Sequence, residues 1–211
     1  MENKLVVRLG AMGDIIHTLP AVAALGNVTW MIKPRWEPLL EGNPFVSEIL
    51  TSRPDRRFDI AYDFQGLTKS AFFARLGSAN VRGFSTPREW PAKLFYSQKM
   101  ERQGRHVVDH NLALAGSSGP AEFWLPPGSP EGNLPNEPFI LACPLAGWKS
   151  KQWPIENYRE LAKLLPLPLI LNGPPGSGLD HESGISGLID ATRRATAVIG
   201  VDSGPLHIAA A

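Results

Sequence analysis

Little cysteine, little net charge and no long apolar run characterise this chain, and each shortage removes a class of function. The single cysteine, Cys143, stands in the apolar run FILACPLA. One thiol forms no intrachain disulfide, and in such a run it is more often a buried core residue than a nucleophile. A reducing cytoplasm fits that usage. Twenty-one basic residues against twenty acidic ones give a formal net charge of +1. No overall field therefore points to nucleic acid or an anionic membrane, and any polyanionic ligand has to be held locally. No apolar run approaches the roughly 20 residues that span a bilayer, and MENKLVV reaches polar and turn residues too early for a signal segment. The expectation is a cytoplasmic protein with no transmembrane segment, for which association with a membrane surface stays open.

What is present is enough for a sizeable core: 211 residues, 43% hydrophobic and 19% charged, suit one large domain or two small ones. Residues 5–9, VTWMIK (28–33), VSEILT (46–51) and FDIAYDF (58–64) read as strands, TKSAFFARLG as a helix, and NVRGF (80–84) as a short strand. Near-continuous apolar strands alternating with helices argue for a parallel sheet covered by helices. Residues 85–116 are mixed, with a helix over VVDHNLALAG. Residues 117–138, SSGPAEFWLPPGSPEGNLPNEP, concentrate Gly, Pro and Ser, the signature of a boundary. The alternation then restarts with strand FILACPL (139–145), helix WPIENYRELAKLL, strand LPLILNG, helix GLIDATRRA and strand AVIGVD (197–202). The expected organisation is one α/β domain over 1–116, a linker over 117–138 and a second α/β domain over 139–211.

LVVRLGAMGDIIHTLPAVAAL, residues 5–25, opens like a nucleotide-binding unit, yet its glycines fall short of the dinucleotide fingerprint and no P-loop lysine and hydroxyl follow. Asp14 would repel a phosphate there. It has two readings: an N-cap accepting from free N–H groups, or a general base taking the proton of an attacking hydroxyl at the carboxyl end of a strand. GWKSKQWP (147–154) offers the Lys149 and Lys151 ammonium groups and the Ser150 hydroxyl, either to phosphate or to solvent, with Trp153 and Pro154 leading into a helix. In GVDSGPLHIAAA (200–211) a strand ends at Asp202, and Ser203 and Gly204 open a helix whose free N–H groups suit an anion, with His207 nearby. Capping of that helix by Asp202 is the plainer reading. In YDFQGLTKSAFFARL (62–76), Gln65, Lys69 and Ser70 could contact a polar acceptor, though satisfying the turn is the commoner fate of Gln65 and Ser70.

In this order, and with GFSTPREWPAKLFYSQK and RHVVDHNLALA between them, these motifs resemble glycosyltransferase family 9, the bacterial lipopolysaccharide heptosyltransferases, over nearly the whole chain. The resemblance implies the B-type glycosyltransferase architecture: two Rossmann-like domains across a cleft, acceptor on the first and nucleotide-sugar on the second, here with a short or incomplete second domain because relatives continue past HIAAA. It also implies inverting transfer without a metal or other cofactor. On this resemblance Asp14 is the base and Lys151 neutralises charge on the departing nucleotide. Lys149, Ser150, Asp202, Ser203, Gly204 and His207 bind the ADP-sugar, and Gly13, Gln65, Lys69 and Arg88 face a lipid-linked saccharide acceptor. Family members carry a ribose-holding acid after the strand matching LILNG; this chain has PPGSG there, with Asp180 and Glu182 as candidates. Arg53, Arg56 and Arg57 stand either as a reduced form of the family's basic insertion or as a solvated turn.

The leading expectation is thus a heptosyltransferase-like enzyme. Its competitor is a non-catalytic descendant that binds a nucleotide or another protein, and a nicotinamide-dependent oxidoreductase is disfavoured by the incomplete glycine fingerprint and by Asp14. An apolar face left by a short second domain would drive formation of a homo-oligomer.

Overall fold

The computed structural model describes residues 2–211. The chain separates into two compact units, dividing between Trp124 and Leu125. In the first, β1 (Lys4–Val7), α1 (Met12–Ile16), α2 (Leu19–Leu25), β2 (Val28–Met31), β3 (Val46–Leu50), β4 (Ile60–Asp63), α3 (Thr68–Gly77), β5 (Val81–Phe84), β6 (Gln98–Met100) and α4 (Val107–Ala115) follow in order. The strands form one parallel sheet in the order β3-β2-β1-β4-β5-β6, which is the doubly wound Rossmann order. Its centre is β1, where Leu5, Val6 and Val7 are fully buried because both faces of a parallel sheet are covered. Leu5, Val7, Ala61, Ala71, Ala74 and Val81 knit one face of the sheet to α3.

Departures from the sequence reading are local. Residues 12–25 form two helices rather than one, because the chain leaves α1 at His17 and restarts at Thr18 with Pro20 in the first turn of α2, where proline's missing N–H costs nothing. Residues 34–39 and 90–95 form 3₁₀ turns, each beginning at or beside a proline. The short polar β6 gave no apolar pattern to read.

The second unit contains β7 (Ile140–Cys143), α5 (Ile155–Ala162), β8 (Leu169–Gly173), β9 (His181–Glu182), α6 (Ile185–Arg194), β10 (Ala197–Gly200) and α7 (Gly204–Ala210), with a parallel sheet in the order β10-β7-β8-β9. Cys143 lies buried in β7, and burial pushes its thiol up to about 12. Residues from the Gly/Pro-rich stretch fasten onto this unit. Glu131 accepts from the Gly184 and Gly187 N–H groups at 2.7 and 2.9 Å, so a side chain about fifty residues upstream closes the start of α6. The Glu131 carbonyl meets His181 Nε2 at 2.7 Å, and Arg193 and Arg194 donate to the carbonyls of Leu125 and Pro135. Among the described residues no helix is long and apolar enough to cross a membrane.

Candidate active site

The parallel register of β1 and β4 sets Val7 beside Asp63, so the residues just beyond both strands emerge together at the carboxyl edge. Phe64 N–H donates to the Val7 carbonyl at 3.2 Å, and Arg8 N–H to the Met31 carbonyl on the other side at 3.2 Å. Arg8 is thereby locked in line with the sheet, and its guanidinium turns under the following loop to donate to the Phe64 carbonyl and to meet Asp14 Oδ2 at 2.6 Å. Burial pushes the Arg8 pKa below its ordinary value; the Asp14 carboxylate opposes that shift and the Arg88 charge adds to it.

Asp14 sits in the first turn of α1, but it is not the cap. Ala11 occupies that position, and Asp14 directs its carboxylate to two arginines instead. The second is Arg88, whose Nη2 lies 3.2 Å from each carboxylate oxygen and which is half exposed. Arg88 reaches this place because Glu89 ties its segment to the turn after β4. Glu89 N–H donates to the Gly66 carbonyl at 2.9 Å, and the Thr68 N–H donates to the Glu89 carboxylate at 2.7 Å. At Gly66, with φ +71°, an added Cβ would stand 3.0 Å from the Arg88 backbone nitrogen, so the close approach needs glycine twice over. At Gly10, with φ +147°, a Cβ would meet the Trp36 indole nitrogen at 2.7 Å.

The other first-unit candidates are placed as follows. Gly13 precedes Asp14 in α1. Gln65 is buried and its side-chain carbonyl accepts from Leu9 N–H at 2.9 Å, which stiffens the loop carrying Arg8. Ser70 serves the turn, its hydroxyl exchanging bonds with the Leu67 carbonyl and N–H at 2.8 and 3.1 Å. Lys69 is exposed, with its ammonium 5.7 Å from the Phe73 ring centre. Beneath them lies a group that sequence reading passed over. Asp63 is fully buried, accepts from the Gln65 and Gly66 N–H groups at 3.0 and 3.2 Å and from the Tyr96 hydroxyl at 2.7 Å, and burial raises its pKa. Burial also raises that of Tyr96, which stays a donor.

In the second unit, Lys149–Lys151 form a 3₁₀ turn between β7 and α5. Trp153 packs edge to face on Tyr158 at 4.8 Å and anchors that turn, leaving Lys149 and Ser150 exposed. Lys151 Nζ meets Asp202 Oδ2 at 2.7 Å, and His207 Nε2 lies 3.8 Å from the other oxygen. The structure therefore brings Lys151, Asp202 and His207 together. Ser203, not Asp202, takes the N-cap position of α7, and its hydroxyl has no hydrogen-bond partner among the described residues.

Both candidates for a ribose-holding acid have other partners. Asp180 is gripped by Arg159 at 2.7 and 2.9 Å and accepts from Leu171 N–H at 3.0 Å. Glu182 closes the PPGSG turn by accepting from the Gly176 N–H at 2.8 Å and from that of Gly178; these backbone bonds hold its pKa below the ordinary value. Arg56 pairs with Glu48, and Arg57 donates to the Leu76 carbonyl at 2.9 Å. Among the described residues no group of three or more His, Cys, Asp or Glu is placed to hold a metal ion.

Comparison with known proteins adds a family to this geometry. The pattern of Glycosyltransferase family 9 (heptosyltransferase) matches residues 54–166, more than half of the chain. Lipopolysaccharide heptosyltransferase 1 of Pseudomonas aeruginosa is 24% identical over 268 residues, a match covering 98% of this chain and 75% of the relative. The protein of that name from Escherichia coli is 28% identical over 209 residues, covering 76% of this chain and 62% of the relative. Among solved structures, the fold is similar to that of E. coli heptosyltransferase WaaC with ADP-2-deoxy-2-fluoro heptose, with a TM-score of 0.80, 22% identity, and coverage of 99% of this chain and 85% of that one.

Proposed function

Since the chain belongs to glycosyltransferase family 9, we propose that it transfers a heptose-like sugar, with inversion, from an ADP-sugar to a lipopolysaccharide core acceptor in the cytoplasm, with Asp14 as general base. The donor class is suggested by the ADP-heptose analogue bound to WaaC, and the acceptor class by the names of the relatives. The observation that carries the reading is the Asp14 carboxylate, set just past β1 and oriented by buried Arg8 and half-exposed Arg88.

In this reading an acceptor hydroxyl oxygen attacks the anomeric carbon of the donor. Its proton passes to Asp14 as the new C–O bond forms, the bond to the β-phosphate breaks, and the electron pair leaves with ADP. A base must be aimed before substrate arrives, which is what Arg8 supplies from the buried side. Arg88 can trade its hold on Asp14 for an anionic group of the acceptor, with Gly13, Gln65 and Lys69 around it. Charge grows on the leaving diphosphate, and a fixed cation there lowers the barrier most. Lys151 has that role, exchanging Asp202 for phosphate, with Lys149, Ser150, Ser203, Gly204 and His207 as further donors. The ADP-sugar is a substrate, and the reaction so written uses no cofactor.

One observation favours a non-catalytic descendant that binds a nucleotide or another protein: Asp180 and Glu182 are both occupied within their own unit. Titration of the chain with ADP by calorimetry, repeated on Lys151→Ala, tests the donor half. The proposal expects binding that weakens about tenfold or more in the variant, the range for a lost charge-assisted contact. A folded chain that binds no ADP would move the conclusion to the descendant.

A further inference from the structure

The first unit carries a surface that the transfer reaction leaves unused. Helix α3 packs against the 3₁₀ turn Trp90–Phe95, and the Phe72 and Phe95 rings meet edge to face at 6.2 Å along the seam. Ala92, Phe73 and Phe95 turn inward onto the core. The outer side stays in water, with Phe72 46%, Leu76 38%, Trp90 69% and Leu94 72% exposed. Singly scattered apolar residues are normal on a surface, but four large ones on two packed elements mark a docking site.

The charge on these two elements has one sign. Residues 68–77 and 90–95 contain Lys69, Arg75 and Lys93 and no acidic residue. Arg57 is held at the end of α3 by the Leu76 carbonyl. The adjacent acid, Glu89, is exposed and accepts from the Thr68 N–H; its one negative charge leaves the rim net positive. The chain as a whole is almost neutral, so this basic rim is a local feature rather than a consequence of composition.

Three occupants compete for such a patch. A second copy of the chain, meeting it through a two-fold axis, would press two cationic rims together. Protein interfaces are in general depleted of lysine, yet Lys93 stands in this rim. An anionic bilayer suits every component: aromatic and aliphatic side chains enter the boundary between headgroups and acyl chains, and Lys and Arg take the phosphates.

We propose that Phe72, Leu76, Trp90 and Leu94 dock the first unit onto an anionic phospholipid bilayer, with Arg75, Lys93 and Arg57 on the headgroups. The inference deepens the transferase reading, because a lipid-linked acceptor is met at such a surface. The patch also begins two residues after Arg88, which holds Asp14.

The test is co-sedimentation of the full chain with vesicles of phosphatidylcholine alone and of phosphatidylcholine mixed with phosphatidylglycerol, with ADP calorimetry and thermal unfolding in parallel. Binding to the anionic vesicles is expected, weakening with salt. Trp90→Ser/Leu94→Ser and Arg75→Gln/Lys93→Gln should each lower the partition coefficient about tenfold or more while leaving ADP binding unchanged. Phe72→Ser gives a second apolar variant should the first fail to fold. Equal binding by folded variants overturns the proposal. So does a wild-type chain that ignores vesicles but forms a dimer that Trp90→Ser/Leu94→Ser abolishes in sedimentation velocity. Variant-sensitive vesicle binding by a chain that fails to bind ADP supports the surface and counts against the transferase reading, so the two fail separately.

Discussion

Arg8 Nη2 and Asp14 Oδ2 stand 2.6 Å apart, the arginine side chain 3% exposed and the carboxylate 23%. The guanidinium has the Phe64 carbonyl as its other partner, and among the described residues its buried Nε atom has none. A buried charge held this way depends on its partner, whereas the carboxylate keeps an open side for a substrate.

Removing that partner should therefore cost stability as well as activity. Asp14→Ala leaves the buried Arg8 charge without its carboxylate partner, and should destabilise the chain by about 3 kcal/mol, while Asp14→Asn keeps an acceptor for Arg8 and should cost roughly half of that. Urea unfolding measures both, and equal small losses would show that the pair does not hold the loop.

Arg88→Ala is the contrasting case. Arg88 touches the same carboxylate but is 51% exposed, and exposed pairs contribute about 0–1 kcal/mol. Its loss should leave the unfolding midpoint nearly unchanged and should raise KM for an anionic acceptor more than it lowers kcat. A large stability loss would mean that Arg88 is structural.

Most of the first unit was legible because its strands are continuous apolar runs whose alternation with helices admits few topologies. Asp14 was legible as a carboxylate where phosphate loops have none, but its partners were not. Arg8 was hidden in a stretch read as strand, and its contacts with the Phe64 carbonyl and Asp14 appear only once β1 and β4 are paired. Asp63 gave a signal that was missed, an acid inside the apolar FDIAYDF, since a strand interior admits a carboxylate only with donors around it. Glu131 lay in a stretch whose Gly and Pro content indicates a boundary and does not reveal a long-range cap. The sequence offers Lys151 and Asp202 as separate candidates, and their mutual pairing depends on tertiary structure.

The raised pKa of Asp63 has a definite sign in stability. The folded protein holds that proton more tightly than the unfolded chain, so the contribution is fully present below the ordinary carboxylate value of 3.8 and is lost as pH rises through the folded value. Asp63→Asn removes the titration. The stability of the wild type relative to this variant should fall as pH rises from acid toward neutral. A difference that is flat with pH, or that grows, would contradict the assignment.

Glu131→Ala should weaken the second unit through α6. The substitution frees the Gly184 and Gly187 N–H groups together, and loss of a helix cap costs about 0.5–2 kcal/mol. Hydrogen exchange should rise first at the start of α6, and unchanged protection there would remove the cap from the account.

The most direct measurement is ADP release from ADP-heptose in the presence of a lipopolysaccharide core acceptor, by the wild-type chain and by Asp14→Asn, with ADP affinity measured in parallel. The account predicts turnover by the wild type and a loss of about 10²–10⁴ in kcat in the variant, at unchanged ADP affinity, the range for a missing general base. Turnover that survives in Asp14→Asn, or a folded wild-type chain that binds ADP and the acceptor yet releases nothing, would contradict it.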